Sequence, residues 1–118
     1  MDIRFKGLQY EIPQVISERA MKKLRAVEKY IDSGSVASAY VELGRETDAH
    51  QSGPIWQSLI NLTVDGQLFR AEATEESIEN AIDRSVEDLA REVRRSKKKS
   101  ESLLRRGGAT LKRLMRRA

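Results

Sequence analysis

Apolar residues recur along this chain at two different periods, and the switches between them predict its elements. Asp2 to Leu8 alternates, with Ile3 and Phe5 on one face and Arg4 and Lys6 on the other, and reads as a short strand that Gly7 ends or bulges. Pro13 suits the first turn of a helix, where its missing N–H costs nothing. From there Ile16, Ala20, Leu24, Val27 and Ile31 repeat at helical spacing, with a stop expected near Asp32-Ser33-Gly34. Val36 to Leu43 alternates again, placing Ala37, Ala39, Val41 and Leu43 opposite Ser38, Tyr40 and Glu42. The polar stretch from Gly44 to Pro54 reads as a loop containing His50. Ile55 to Val64 forms a second long strand, with Trp56, Ile60, Leu62 and Val64 turned inward. Asp65-Gly66 is a strong hairpin signal, because both central residues of a type I′ turn need positive φ. Leu68 to Thr74 returns, with Phe69, Ala71 and Ala73 apolar. Thr74 is the expected cap of a last helix, whose positive end suits Glu75 and Glu76 and whose stripe is Ile78, Ile82, Val86, Leu89 and Val93.

The fold class is therefore α+β in the order β-α-β-β-β-α. Three sequential strands have an apolar face to cover, and two helices have stripes to bury. The simplest solution is a four-stranded sheet with two helices packed on one face, similar to a double-stranded-RNA-binding domain. The pattern leaves open whether the first strand pairs in parallel or lies at an edge. At 118 residues the chain is one domain plus a tail, 1–99 and 100–118.

Charge changes the picture most. From Arg91 to Ala118 there are 12 Lys/Arg against 2 Asp/Glu, a net +10. The first 90 residues hold 10 against 16, a net −6. An acidic body with a basic end points to a polyanionic partner, most simply nucleic acid. Lys22, Lys29 and Arg25 lie opposite the first helix's apolar stripe, with Arg19 and Lys23 flanking it. Arg84, Arg91, Arg95 and Lys98 point away from the second stripe. If the helices lie side by side, Lys22, Lys23 and Lys29 meet Arg84, Arg91 and Arg95 on one surface. The cluster Arg94, Arg95, Lys97, Lys98 and Lys99 adds density to it and suits a helix C-terminus. Glu18, Glu28, Glu87 and Asp88 share these faces and penalise indiscriminate phosphate contact.

Beyond Lys99, Gly107-Gly108 is expected to break any continuous helix. Leu111, Leu114 and Met115 form a short stripe among Lys112, Arg113, Arg116 and Arg117. With Arg105 and Arg106 these make a basic arm, mobile alone and helical on binding RNA. Three apolar side chains offer little insertion into a membrane.

Other chemistry is excluded more sharply. The chain has no cysteine and one histidine, so neither thiol catalysis nor a Cys/His metal site can be built. There is no Ser-His-Asp set, no phosphate-cradling glycine loop and no metal-ligand spacing, so neither an enzyme nor a cofactor is expected. No apolar run approaches the roughly 20 residues that span a bilayer, and no signal segment is read at Met1, so a cytoplasmic location is expected. Trp56, Tyr40 and Phe69 are read as packing aromatics rather than base-stacking platforms. A mixed-charge helix face is in many proteins only solvated, and that plain reading applies most to the first helix.

Specific residues add a resemblance. Glu11 to Asp32 carries Ile12-Pro13, Lys22-Lys23-Leu24 and Tyr30-Ile31-Asp32, similar to the first helix of the ribosome hibernation-promoting factors, also called ribosome-associated inhibitors. Val64 to Lys99, with Ala81-Ile82-Asp83 and its basic end, resembles that family's hairpin and second helix. Glu79 departs from it, standing where the family often has an aromatic residue. The chain looks like a short-type member with a basic extension and no separate dimerisation domain. The resemblance implies docking on small-subunit rRNA in the channel used by mRNA and tRNA, and silencing by occupancy when cells are under stress. A general double-stranded-RNA-binding module and a protein-assembly module with a basic arm remain the alternatives.

Overall fold

The computed structural model describes residues 1–45 and 55–117, with side chains described as far as Leu103. The elements are β1 (Asp2–Leu8), α1 (Gln14–Val27) with a 3-10 turn at Glu28–Tyr30, β2 (Ala37–Arg45), β3 (Trp56–Val64), β4 (Gln67–Glu75) and α2 (Ile78–Arg117). The order is β-α-β-β-β-α, and the sheet runs β1-β2-β3-β4. β1 pairs with β2 in parallel, which settles what the sequence pattern left open; the other pairs are antiparallel.

Alternation decides which face is buried. Ala39, Val41 and Leu43 of β2, Ile60 and Leu62 of β3 and Ala71 of β4 share one core with Ile16, Ala20, Leu24 and Val27 of α1. Ile78, Ile82, Val86, Leu89 and Val93 of α2 complete it. All five expected stripe positions of α2 are thus buried. Among the described residues, the opposite sheet face carries no helix. At the β3–β4 turn, Asp65 and Gly66 have φ of +48° and +84°, as a type I′ turn requires. The Asp65 carboxylate also accepts the Val36 N–H at 2.8 Å, tying the hairpin tip to the start of β2.

Several expectations are corrected. α1 proper ends at Val27 rather than near Asp32, with a tighter turn to Tyr30. Pro13 sits at the cap position, just outside the helix. Gly44 and Arg45 belong to β2, not to a loop; a Cβ at Gly44 would overlap the Leu8 carbonyl oxygen, so glycine is what lets β1 and β2 stay paired there. The rest of that stretch, His50 included, lies outside the described residues. Thr74 is not the cap of α2. β4 runs on to Glu75, and Ser77 Oγ accepts the Asn80 N–H at 3.1 Å. Tyr40 is not in the core: it stands 38% exposed on the open sheet face, while Trp56 and Phe69 pack half-buried against the core.

The largest correction concerns the tail. α2 continues through Gly107-Gly108 to Arg117, 40 residues in one helix. Glycine costs about 1 kcal/mol relative to alanine in a helix but does not forbid it, and Leu, Arg, Lys and Ala surround the pair. Arg94 to Lys99 therefore sit in mid-helix, and the favourable electrostatics of a helix C-terminus fall to Lys112, Arg113, Arg116 and Arg117 instead. The molecule is 56 Å long and 25 by 21 Å across, its length close to that of α2 itself.

Two buried polar residues escaped the pattern. Ser58 on β3 and Ser85 on α2 are fully buried, their hydroxyls 2.8 Å apart. Ser85 donates its own proton to the Ile82 carbonyl at 3.0 Å, so the proton between the two hydroxyls comes from Ser58.

Candidate nucleic-acid interface

The two helices touch through an ion cluster. Asp83 of α2 accepts a forked contact from Arg19 of α1, at 3.2 and 2.7 Å, and lies 3.4 Å from Lys23 Nζ. Burial pushes the Asp83 carboxyl up, but the Arg19 hydrogen bonds and the Lys23 charge outweigh it and hold the group below its ordinary value. Lys23 is therefore committed to holding the helices together. In the Ala81-Ile82-Asp83 triplet, two side chains fill the core and the third forms this bridge.

The remaining cations divide into two flanks. On the α1 side, Arg94 lies 5.2 Å from the centre of the Tyr30 ring and Lys29 lies 5.1 Å from it, so one aromatic side chain serves two cations. Lys97 reaches Asp32 at 3.5 Å beside them. On the β4 side, Arg84 pairs with Glu75 at 3.4 Å, Arg91 with Asp88 at 3.2 Å and Arg95 with Glu92 at 3.2 Å. Arg91, Asp88 and Glu92 line a groove along β4 with Leu68 to Glu72.

The expected meeting of Lys22, Lys23 and Lys29 with Arg84, Arg91 and Arg95 is therefore not what the structure builds. The partner that α2 turns toward α1 is Asp83, followed by Arg94 and Lys97. Residues 83, 94 and 97 lie on one side of α2, whereas 84, 91 and 95 lie about a quarter turn or more away, facing their own carboxylates. Lys22, Lys98 and Lys99 are exposed and have no acidic partner among the described residues. Arg105, Arg106, Lys112, Arg113, Arg116 and Arg117 lie on the same continuous helix; their side chains are outside the described residues.

Tyr30 is the residue that sequence reasoning missed as part of this surface. Its signal was the aromatic position directly before Ile31-Asp32. A second aromatic group lies at the far end of the sheet, where Tyr10 meets Trp56 edge-on at 5.2 Å and Arg45 covers the Trp56 ring at 5.5 Å. Desolvation, with Glu79 nearby, raises the Tyr10 hydroxyl above its ordinary value. No described helix is long and apolar enough to cross a membrane.

What this arrangement can do is bind by charge and shape. Exposed ammonium groups attract phosphates without fixing their geometry, while Arg94 and Arg95 present planar forks. The carboxylates on the same surface repel a polyanion that approaches out of register.

A model of the family described as sigma 54 modulation protein / S30EA ribosomal protein matches residues 3–101 of the chain. Among solved structures, the N-terminal domain of Protein Y from Thermus thermophilus is similar, with a TM-score of 0.67 and 27% identity, covering 80% of this chain and 98% of that one. A ribosomal subunit interface protein from Coxiella burnetii shares the fold, with a TM-score of 0.65 and 16% identity over 82% of this chain and 98% of that one. The search of curated proteins found no match.

Proposed function

Because the chain belongs to the sigma 54 modulation protein / S30EA ribosomal protein family, we propose that it is a ribosome-associated translation inhibitor. It docks on small-subunit rRNA in the channel used by mRNA and tRNA, in the cytoplasm, and silences or protects idle ribosomes by occupancy rather than by a chemical step. The observation that carries this reading is the basic course of α2, with Arg94, Arg95, Lys98 and Lys99 exposed and the later cations following on the same unbroken helix.

A body of net −6 is repelled by RNA, so attraction must come from the end with net +10. Each phosphate neutralised by Lys or Arg releases condensed counterions, which supplies affinity without sequence readout. Shape then limits the target, because the rigid sheet and paired helices admit only a cleft of matching width.

Co-sedimentation with purified small subunits at near-physiological salt tests the reading, with initiator tRNA and free duplex RNA as competitors. Saturable retention, displaced by tRNA and not by duplex, is the expected result. Equal loss to any duplex would leave a general double-stranded-RNA binder. Retention that survives removal of exposed RNA by nuclease would instead indicate a protein-assembly module. Truncation after Ser96 should weaken binding and flatten its salt dependence.

A further inference from the structure

The sheet face turned away from both helices carries a row of residues, of which only Arg70, on the edge strand, also borders the groove beside α2. The register pairs Arg4 with Tyr40, Tyr40 with Asn61, and Asn61 with Arg70, so these four side chains cross all four strands in one line. At about 4.8 Å between strands, the row is about 14 Å long. The side chains at its two ends are open, Arg4 at 79% and Arg70 at 59% exposure, and Tyr40 between them is the exposed aromatic. A hollow of about 330 Å³ opens beside the row, lined by Asp2, Arg4, Ser38, Tyr40, Asn61 and Thr63. No described side chain hydrogen-bonds to the Tyr40 hydroxyl or the Asn61 amide.

We propose that this row binds an unpaired nucleotide of single-stranded RNA. The base stacks on Tyr40, its edge meets the Asn61 amide, and the flanking phosphates reach Arg4 and Arg70. A flat sheet with an aromatic ring suits a splayed base, whereas a duplex hides its base faces. The surroundings mix hydroxyls, an amide and carboxylates with a single large open apolar side chain, Leu68 opposite Thr63, which is less apolar area than the core of a protein interface buries. Arg4 pairs with Asp2 at 3.3 Å and Arg70 with Glu72 at 3.6 Å. Such exposed pairs hold weakly, so both guanidinium groups are free to exchange onto phosphate. With its charge balanced, the row binds through the base more than through the backbone. Its salt dependence is therefore shallow, unlike that of α2.

The experiment is a titration of the full, isotope-labelled chain with hexa-adenylate, followed by backbone amide NMR. Shifts are expected at Arg4, Tyr40, Asn61 and Arg70. Tyr40→Ala should weaken that site at least about fivefold, and Tyr40→Phe should retain it. Circular dichroism of both variants establishes that the fold is kept. The pair Lys98→Glu and Lys99→Glu should reduce shifts along α2 and leave those of the row, so failure of the helical surface and failure of this site give different spectra. Shifts confined to the helices, unchanged binding by Tyr40→Ala, or equal shifts of the row with an adenylate–uridylate duplex would each overturn the proposal.

Discussion

The first and second halves of α2 share one backbone geometry and are held by different forces. From Ile78 to Val93 every turn buries an apolar side chain, and the exposed positions mix acids with bases that neutralise one another. From Arg94 to Leu103 the described contacts with the body thin to the Tyr30 ring, the Lys97–Asp32 ion pair and a Gln67–Ser96 hydrogen bond at 3.4 Å, and from Arg94 onward the charge becomes almost entirely positive. A single helix thus combines an anchor whose strength comes from exclusion of water with an arm whose proposed use is attraction to phosphate. Stability and affinity are separable along one axis, and substitutions can be chosen to move one without the other.

The sharpest test of the anchor is Leu89→Ala. Leu89 is fully buried, and its truncation should cost about 2–5 kcal/mol in denaturant unfolding. The salt dependence of RNA binding, measured where the variant is still folded, should not change. Next comes Ser85→Ala, which leaves the Ser58 hydroxyl buried without its acceptor and should cost about 1–3 kcal/mol. Adding Ser58→Ala should recover part of that loss, because no orphan donor then remains. A double variant less stable than Ser85→Ala alone would show that the pair does not act as one hydrogen-bonded unit.

Smaller again is Asp83→Asn, at about 1 kcal/mol or less for a partly exposed ion cluster. Its value lies in its pH dependence. The Asp83 carboxyl is held below its ordinary value of 3.8, so its contribution is fully present above that value and is lost as pH falls through the lower folded one. The wild type should therefore lose stability below about pH 4 more steeply than Asp83→Asn. Asp65, lowered chiefly by the Val36 N–H and also by Ser35, adds acid sensitivity of the same sign, which the Asn variant keeps. Identical acid limbs for the two proteins would remove the ion cluster from the account.

The smallest effect on stability belongs to the arm. Lys98→Glu with Lys99→Glu should change unfolding by no more than about 0.5 kcal/mol. The same pair should weaken small-subunit retention and lower its salt slope. A large loss of stability would abolish the division between anchor and arm.

Most of the fold was legible because burial imposes a period. Ile78, Ile82, Val86, Leu89 and Val93 announced α2, and Asp65-Gly66 announced the hairpin through a backbone conformation few residue types accept. The parallel pairing of β1 was not legible, since a half-buried edge strand alternates in the same way whichever direction it runs. Nor was Ser77 as the cap, because Thr74 offers the same chemistry a few residues earlier and only the length of β4 decides between them. The cationic residues were legible as a set but not in their grouping. Asp83 could be seen as part of a triplet, yet its partner Arg19 lies 64 positions away. Gly107-Gly108 misled because two small costs were read as a prohibition.

The parallel pairing of β1 with β2 also bears on how the chain is made. Each β1 residue meets a partner 36 positions later, from Asp2 with Ser38 to Leu8 with Gly44. During synthesis, β1 emerges first and waits, with its backbone groups unpaired, while α1 and then β2 follow. The meander β2-β3-β4 closes through one short antiparallel turn and one longer connection, so it has the more local contacts and is the natural nucleus. β1 then docks as the late edge of a sheet already begun. Of the four strands, the one made earliest is thus among the last to find its place.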